Sequence, residues 1–207
     1  MLRFALPLVA LALGACSGGK PDAPATDVAL VPSETAPAEA ATPVPDAAAA
    51  VMARTSQYTS LKDCKVIDDG GGEDWSVSRC AGLGGITLMI NYGDARDDLE
   101  LHLPGKQPTE LGLPYLAGGG FNTLGDTVEW RGTGQGKAFR PSALIVRNHA
   151  VQDPEHPERP TALLAVIDLT KGCVVAQIKP QAGQNEAARA LADGPPRPCL
   201  DPGRAVG

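Results

Sequence analysis

Aromatic residues are scarce in this sequence: Phe, Trp and Tyr make up 4% of its 207 residues. A surface on which sugars or bases stack against aromatic rings would therefore have to be small. Basic residues are also few, since 18 Lys and Arg face 24 Asp and Glu and the formal net charge is −6 at pH 7. Such a chain lacks the positive surface that nucleic acids require and the basic run that binds anionic lipid headgroups. We therefore expect no nucleic-acid partner.

Short catalytic and metal-binding motifs are missing as well. The sequence contains no Gly-x-Ser-x-Gly and no His-Glu-x-x-His motif, which are typical of hydrolases and zinc peptidases. Its five cysteines include no Cys-x-x-Cys pair, the close spacing that structural zinc sites use. We predict no catalytic residue, no metal site and no cofactor. The sequence leaves an enzymatic role open and favours a binding role.

The apolar run at residues 4–13 is too short to span a bilayer, because a transmembrane helix needs roughly 20 residues. It follows the single charge of Arg3 and leads into the sequence LGAC, whose last three residues are small and which ends at Cys16. This order of charged, apolar and small residues is typical of a secretory signal. The LGAC sequence resembles the lipobox of bacterial lipoproteins, which implies a signal peptide over residues 1–15 and lipidation of Cys16. An ordinary cleaved signal with an incidental cysteine is the alternative.

The lipobox resemblance also implies a location. Lipoproteins are held at a membrane of the cell envelope by acyl chains, and two or more chains anchor a protein stably. In the best-known sorting rule, a residue other than Asp after the lipidated cysteine directs the protein to the outer membrane. Ser17 occupies that position. We expect a lipid-anchored envelope protein at the outer membrane, facing the periplasm.

Proline and alanine dominate residues 17–52, which contain no aromatic residue. A segment of this composition cannot bury enough apolar surface to offset its chain entropy. We predict that residues 16–52 form the lipidated cysteine and a disordered tether, and that residues 53–207 form a single globular domain.

Four cysteines lie beyond the predicted anchor: Cys64, Cys80, Cys173 and Cys199. In an oxidising compartment they would form two disulfides, and three pairings are open. The pairs Cys64–Cys80 and Cys173–Cys199 are favoured because each closes a short segment. Loops of this size stabilise a fold by about 3 kcal/mol each in the chain-entropy model.

Alternating and near-continuous apolar segments predict strands through most of the domain. Asn185 is predicted to cap a helix over residues 186–192, with Gly194 at its end. Residues 93–98, which hold one glycine and three aspartates, predict a turn. Residues 104–126 contain three prolines and three consecutive glycines and predict a long irregular connection. The fold class is mainly β, with an antiparallel sheet or sandwich, a short C-terminal helix and two disulfides. The predicted strands cover residues 64–67, 75–80, 86–92, 99–103, 127–131, 142–147, 161–169 and 173–179.

Several short motifs together resemble a domain of an uncharacterised secreted family of Gram-negative bacteria. They are RCAG at 79–82, DAR at 94–96, VEWR at 128–131, PSALIVR at 141–147, CVVA at 173–176, ARALAD at 188–193 and Cys199. The resemblance covers about residues 58–199. It implies the architecture and the compartment, but no reaction and no ligand.

A candidate binding face is predicted on the central strands. Glu129 and Arg131 should share one face of a strand, while Trp130 takes the other. Together with Arg96 and Arg147, which flank other strands, they would suit a glycan or a peptide carboxylate. The alternative is a set of cross-strand ion pairs on a solvated face, with Trp130 in the core.

The leading functional hypothesis is a non-enzymatic binding or accessory module that meets an envelope protein or a cell-wall partner. A periplasmic hydrolase is one alternative, in which His102 or His149 would act with dispersed acidic residues. An inhibitor of lysozyme-like enzymes is another, in which the acidic loops at residues 68–74 or 153–158 would reach into a basic cleft. Metal binding by either loop is a further alternative, although their spacing matches no standard site.

Overall fold

The computed structural model describes residues 53–203, which contain ten strands and two α-helices. The predicted signal peptide, Cys16 and the whole predicted tether lie outside the described residues. Short 3-10 turns occur at Gly70–Gly72 and Gly136–Ala138. The elements are β1 (Arg54–Ser60), β2 (Lys65–Asp68), β3 (Trp75–Ala81), β4 (Thr87–Gly93), β5 (Arg96–His102), β6 (Thr109–Glu110), α1 (Leu113–Leu116), β7 (Asn122–Thr133), β8 (Arg140–Ala150), β9 (Thr161–Asp168), β10 (Cys173–Ile178) and α2 (Gln184–Asp193).

The strands form one sheet in the order β10-β9-β8-β7-β5-β4-β3-β2, with β1 beside β7 and β6 beside β5. Neighbouring strands are antiparallel, except that β5 and β7 meet in parallel through the single pair Arg96 and Asn122. This thin junction divides the sheet into a first half-sheet, β2 to β6, and a second half-sheet, which comprises β1 and β7 to β10.

The main core lies between the two half-sheets. One apolar cluster combines Leu88, Leu99 and Leu101 of the first half-sheet with Trp130 and Leu144 of the second, and all five are fully buried. The sheet therefore folds over itself, as in a sandwich. The predicted alternation of β5 is confirmed, because its leucines enter this core while the intervening polar residues stay outside it.

Helix α2 covers the other face of the second half-sheet. Ala188 of the helix packs in a second cluster with Ile145, Leu164 and Val166. Strands β8 and β9 are therefore buried on both faces, which explains why their sequences are almost continuously apolar. Neither helix within residues 53–203 has the length and apolar composition needed to cross a membrane.

Both favoured disulfides are confirmed. Cys64 and Cys80 have Cα atoms 4.4 Å apart and close the β2–β3 hairpin. The Cα atoms of Cys173 and Cys199 are 5.7 Å apart, and this bond ties β10 to the segment after α2. The Leu200 N–H of that segment donates a hydrogen bond to the Val174 carbonyl at 2.8 Å.

The predicted fold class is confirmed, while several boundaries differ. The turn expected over residues 93–98 is confined to Asp94 and Ala95, whose φ angles of 51° and 55° fit a two-residue hairpin. Residues 104–126 are not wholly irregular, because they contain β6, α1 and the start of β7. Helix α2 starts earlier than predicted. Its N-cap is Gly183 with φ 71°, and the Asn185 side chain accepts a hydrogen bond from Arg147 instead.

Candidate functional site

The predicted binding face lies beneath α2. Glu129 and Arg131 are only 9% and 8% exposed, and both pair with the helix. Arg189 reaches Glu129 with Nε–Oε1 and Nη2–Oε2 distances of 2.8 and 3.2 Å. Arg131 forms a two-pronged ion pair with Asp193. Trp130 points to the opposite face, as predicted, and donates its indole N–H to Thr59 in the core at 2.9 Å.

Arg147 lies on the same side as Glu129 and Arg131. Its guanidinium donates to the side-chain oxygens of Gln184 and Asn185 at 3.1 and 3.0 Å. Glu129 and Arg147 line a cavity of about 180 Å³, which is smaller than the usual 300–1,000 Å³ of ligand pockets. The carboxylate of Glu129, which accepts two hydrogen bonds from Arg189, raises the pKa of Arg189 above its usual value. The side chains of this face therefore mainly fasten α2 to the sheet.

Arg96 lies in a different place, at the wall of a cavity of about 620 Å³. Its guanidinium carbon is 5.4 Å from the centre of the Phe121 ring, a cation–π geometry. Its Nε donates to the Gly119 carbonyl at 3.1 Å. The structure thus brings three of the four predicted residues together and separates Arg96 from them. The cavity, which we call the Arg96 pocket, is lined by Arg96, Ala117, Gly118, Gly119, Gly120, Phe121, Val151, Gln152, Pro154 and Pro157.

Three consecutive glycines shape the Arg96 pocket. Gly118 and Gly119 have φ angles of 100° and 79°, a region that side chains disfavour, and a Cβ atom on either would meet nothing within 4 Å. Gly120 allows close backbone approach, because a Cβ there would lie 2.3 Å from the Val151 carbonyl oxygen. The Val151 N–H then donates to the Phe121 carbonyl at 2.8 Å. The turn leaves open space and presents the half-exposed Phe121 ring beside it.

The pocket combines apolar walls with one cation. Phe121, Val151 and two prolines supply the walls, and Gln152 adds an amide. The Nη1 atom of Arg96 pairs with the exposed carboxylate of Asp94, whereas its Nη2 atom makes no hydrogen bond within residues 53–203. A guanidinium favours carboxylates, and the Nη2 atom can donate to the carboxylate of a ligand. The pocket therefore fits a ligand with an apolar body and a carboxylate.

Asp97 points to the other face of β5, into a cleft of about 360 Å³ between the half-sheets. Its Oδ2 accepts the Leu124 N–H at 3.0 Å. Burial raises the pKa of Asp97, and this hydrogen bond offsets only part of the effect. We call this site the Asp97 cleft. Its lining residues are Leu61, Lys62, Ser76, Ser78, Ile90, Tyr92, Asp97, Leu124, Gly125 and Asp126.

Asp98 positions the segment that leads to the Arg96 pocket. Its carboxylate accepts the N–H groups of Leu99, Gly112 and Leu113 at 2.8, 3.0 and 2.9 Å. The last two belong to the start of α1, so a side chain on β5 satisfies backbone donors that the short helix leaves free. Burial raises the pKa of Asp98 despite these hydrogen bonds. The turn predicted over residues 93–98 includes Asp98, and nothing in the sequence indicates this role.

The two histidines of the hydrolase hypothesis lie on different strands, β5 and β8, with β7 between them in the sheet order. His102 on β5 contacts the Glu100 carboxylate, and Asn91 donates to the same carboxylate at 3.2 Å. Thr87 is opposite His102 in register, but no hydroxyl hydrogen-bonds His102 in the described part of the chain. His149 lies on β8. The hydrolase hypothesis gains a histidine–carboxylate contact but, among residues 53–203, no hydroxyl bonded to that histidine. It stays a prediction.

The two acidic loops are exposed. Asp69 accepts the Gly71 N–H at 3.1 Å, and the Trp75 indole donates to Glu73 at 3.3 Å, so the first loop is held by its own side chains. In the second loop His156 lies 3.4 Å from Glu158. Among the described residues, no group of three or more His, Cys, Asp or Glu side chains could hold a metal ion. The inhibitor hypothesis stays a prediction.

The chain matches no protein-family model, and no curated protein or solved structure matches it. The lipobox resemblance and the resemblance to a secreted family therefore stay predictions.

Proposed function

We propose that this chain is a lipid-anchored protein of the cell envelope whose β domain is a non-enzymatic binding module. The lipobox-like sequence ending at Cys16 supports the anchor, and Ser17 favours the outer membrane. The two disulfides fit an oxidising compartment. The lipid on Cys16 attaches the protein to the membrane, which is one of its partners in this proposal. The domain meets an envelope protein or a cell-wall component.

The Arg96 pocket is the binding site in this proposal, and its ligand is the carboxyl end of a peptide. The single observation that carries it is the position of the Arg96 guanidinium. It stands over Phe121 at the wall of a cavity larger than the Asp97 cleft, and its Nη2 atom makes no hydrogen bond to the described part of the chain. A peptide end supplies a carboxylate for this cation and small apolar side chains for the walls.

The test compares N-acetyl-alanyl-alanine with its carboxamide, using the full chain in detergent and calorimetry. We expect the acid to bind at least tenfold more tightly than the amide, because only the acid pairs with Arg96. Arg96→Lys should weaken binding of the acid about tenfold, since Lys keeps the charge but cannot bond Gly119 and Asp94 and also present the donor that Nη2 offers. Phe121→Ala should weaken both ligands by removing apolar contact.

Arg159→Lys is the matched control, because Arg159 is exposed and lies outside the pocket. It should leave both affinities unchanged. Equal affinity for acid and amide would contradict the proposal, as would wild-type binding by both Arg96→Lys and Phe121→Ala.

A further inference from the structure

A second site lies on the opposite face of β5 from the Arg96 pocket. Arg96 and Asp97 are consecutive, so the strand sends one side chain outward and the next between the half-sheets. Ser76, Ser78 and Tyr92 form the wall of the Asp97 cleft on the first half-sheet, and residues 124–126 face them. Its volume of about 360 Å³ is within the range of small-ligand pockets.

Asp97 enters this cleft with one of its two carboxylate oxygens free of hydrogen bonds among residues 53–203. Its Oδ2 holds the Leu124 N–H, whereas its Oδ1 makes no hydrogen bond within residues 53–203. No Lys, Arg or His in that range lies within 4.0 Å of the carboxylate. A partly buried carboxylate without a counter-ion is costly, and a cationic ligand would offset that cost.

The other charges of the cleft cancel each other. Lys62 pairs with Asp126 at 2.8 Å at the rim, where both side chains are about two-thirds exposed. Asp97 therefore leaves the cleft with one net negative charge. Tyr92, whose hydroxyl is 3.4 Å from Asp74, is 37% exposed and offers its ring. A cation beside an aromatic ring gains about 0.5–1 kcal/mol at exposed sites.

The remaining polar groups of the cleft can accept hydrogen bonds. The Ser76 and Ser78 hydroxyls line it, and each hydroxyl oxygen has two lone pairs. Ile90, Leu61 and Leu124 add apolar surface beside them. An alkylammonium group matches this arrangement, because it has one positive charge, three N–H donors and a hydrocarbon chain.

We propose that the Asp97 cleft binds the ammonium group of an aliphatic amine, such as a lysine side chain of a partner. The Asp97 Oδ1 accepts one N–H, the serine hydroxyls accept the others, and the hydrocarbon chain lies against the apolar wall. The site is separate from the Arg96 pocket, and its occupant has the opposite charge.

The test uses cadaverine, a five-carbon diamine, and 1-pentanol, which has a similar chain without a charge. Binding to the full chain in detergent is measured by calorimetry at pH 7 and low salt. We expect cadaverine to bind, pentanol not to bind, and Asp97→Asn to weaken cadaverine binding at least tenfold. The Asn side chain keeps an acceptor for the Leu124 N–H, so the variant should fold.

Asp153→Asn is the control, because it removes one charge from an exposed loop outside the cleft and should not change the affinity. Ser78→Ala should weaken binding several-fold without changing any charge. Wild-type affinity in Asp97→Asn would overturn the proposal. Equal binding of pentanol, or of a neutral disaccharide, would also overturn it, since the site would then recognise hydroxyl groups rather than an amine.

Discussion

At the scale of single residues, Asp97 shows how a strand can place a charge where folding alone does not favour it. One oxygen fastens β5 to β7 through the Leu124 N–H. An amide would serve this purpose equally well without the cost of burying a charge. A carboxylate at this position lowers stability, and binding sites often lose stability in this way for the sake of function.

This compromise predicts a pH dependence. Burial raises the pKa of Asp97 in the folded protein above the usual 3.8, so the folded state binds this proton more tightly than the unfolded state. The stabilisation is complete below pH 3.8 and is lost as the pH rises through the folded pKa. The side chain of the Asp97→Asn variant does not titrate. Relative to wild type, the variant should therefore be more stable, with a larger free energy of unfolding, at pH 7 than at pH 3.

Urea unfolding of both proteins at the two pH values measures this difference. Asp153→Asn provides the comparison for an exposed carboxylate, and its difference from wild type should be small. If the stability difference between wild type and Asp97→Asn is the same at pH 3 and pH 7, burial does not destabilise the charged form of Asp97.

Strand alternation determines which residue roles can be predicted from the sequence. It correctly placed Trp130 opposite Glu129 and Arg131, because successive side chains leave a strand on opposite faces. The roles of Asp97 and Asp98 were missed because acids beside a glycine suggest an exposed turn. Their partners, the backbone N–H groups of β7 and α1, come from distant segments.

At the scale of elements, α2 is fixed to the sheet mainly by buried charges. Glu129→Ala should leave Arg189 without its carboxylate partner. It should also remove a negative charge that lies near Arg131. Removing one member of a buried pair costs about 3–5 kcal/mol, and we expect the low end because Arg189 is partly exposed. Urea unfolding and the loss of helical circular dichroism measure the effect.

Glu186→Ala is the control for the same arginine. Glu186 is 3.8 Å from Arg189 on the helix surface and its side chain is 73% exposed, and such pairs contribute only about 0.2–0.5 kcal/mol. If both substitutions cost the same small amount, the Glu129–Arg189 pair does not hold the helix.

Some strands and helices could be predicted from their sequences more easily than others. The apolar runs of β8, β9 and β10 predicted these strands because both faces are buried. Strand β1, with the sequence RTSQYTS, was missed because it shows no apolar alternation and is held mainly by pairing with β7. The cap of α2 was misplaced because the left-handed conformation of Gly183 starts the helix before Asn185.

At the scale of the whole molecule, the anchor gives the most direct prediction. Cys16→Ser should move the protein from the membrane fraction to the soluble fraction of its own cells, because the acyl chains would have no attachment site. Mass spectrometry of the native amino-terminal peptide should show acyl groups on Cys16.

Ser17→Ala is the control for this experiment and should stay with the membranes. A Cys16→Ser variant that remains membrane-bound, together with a native peptide that carries no acyl mass, would show that the lipoprotein interpretation is wrong.

The fold class and both disulfides could be predicted because they depend on local patterns and short loops. The Arg96 pocket could not, because it combines the start of β5, the glycine turn before β7 and the loop after β8. Chain topology alone brings these three segments together. The same holds for the thin junction between the half-sheets.

The Leu200 N–H bonded to Val174 has a consequence for self-association. Strand β10 ends the sheet, and an uncovered end strand is a template to which another chain can add in register. The Cys173–Cys199 bond holds the covering segment in place. At the other end, β2 is four residues long and bulged, which discourages addition. Reduction of the Cys173–Cys199 bond would therefore free the edge of β10 to pair with another chain.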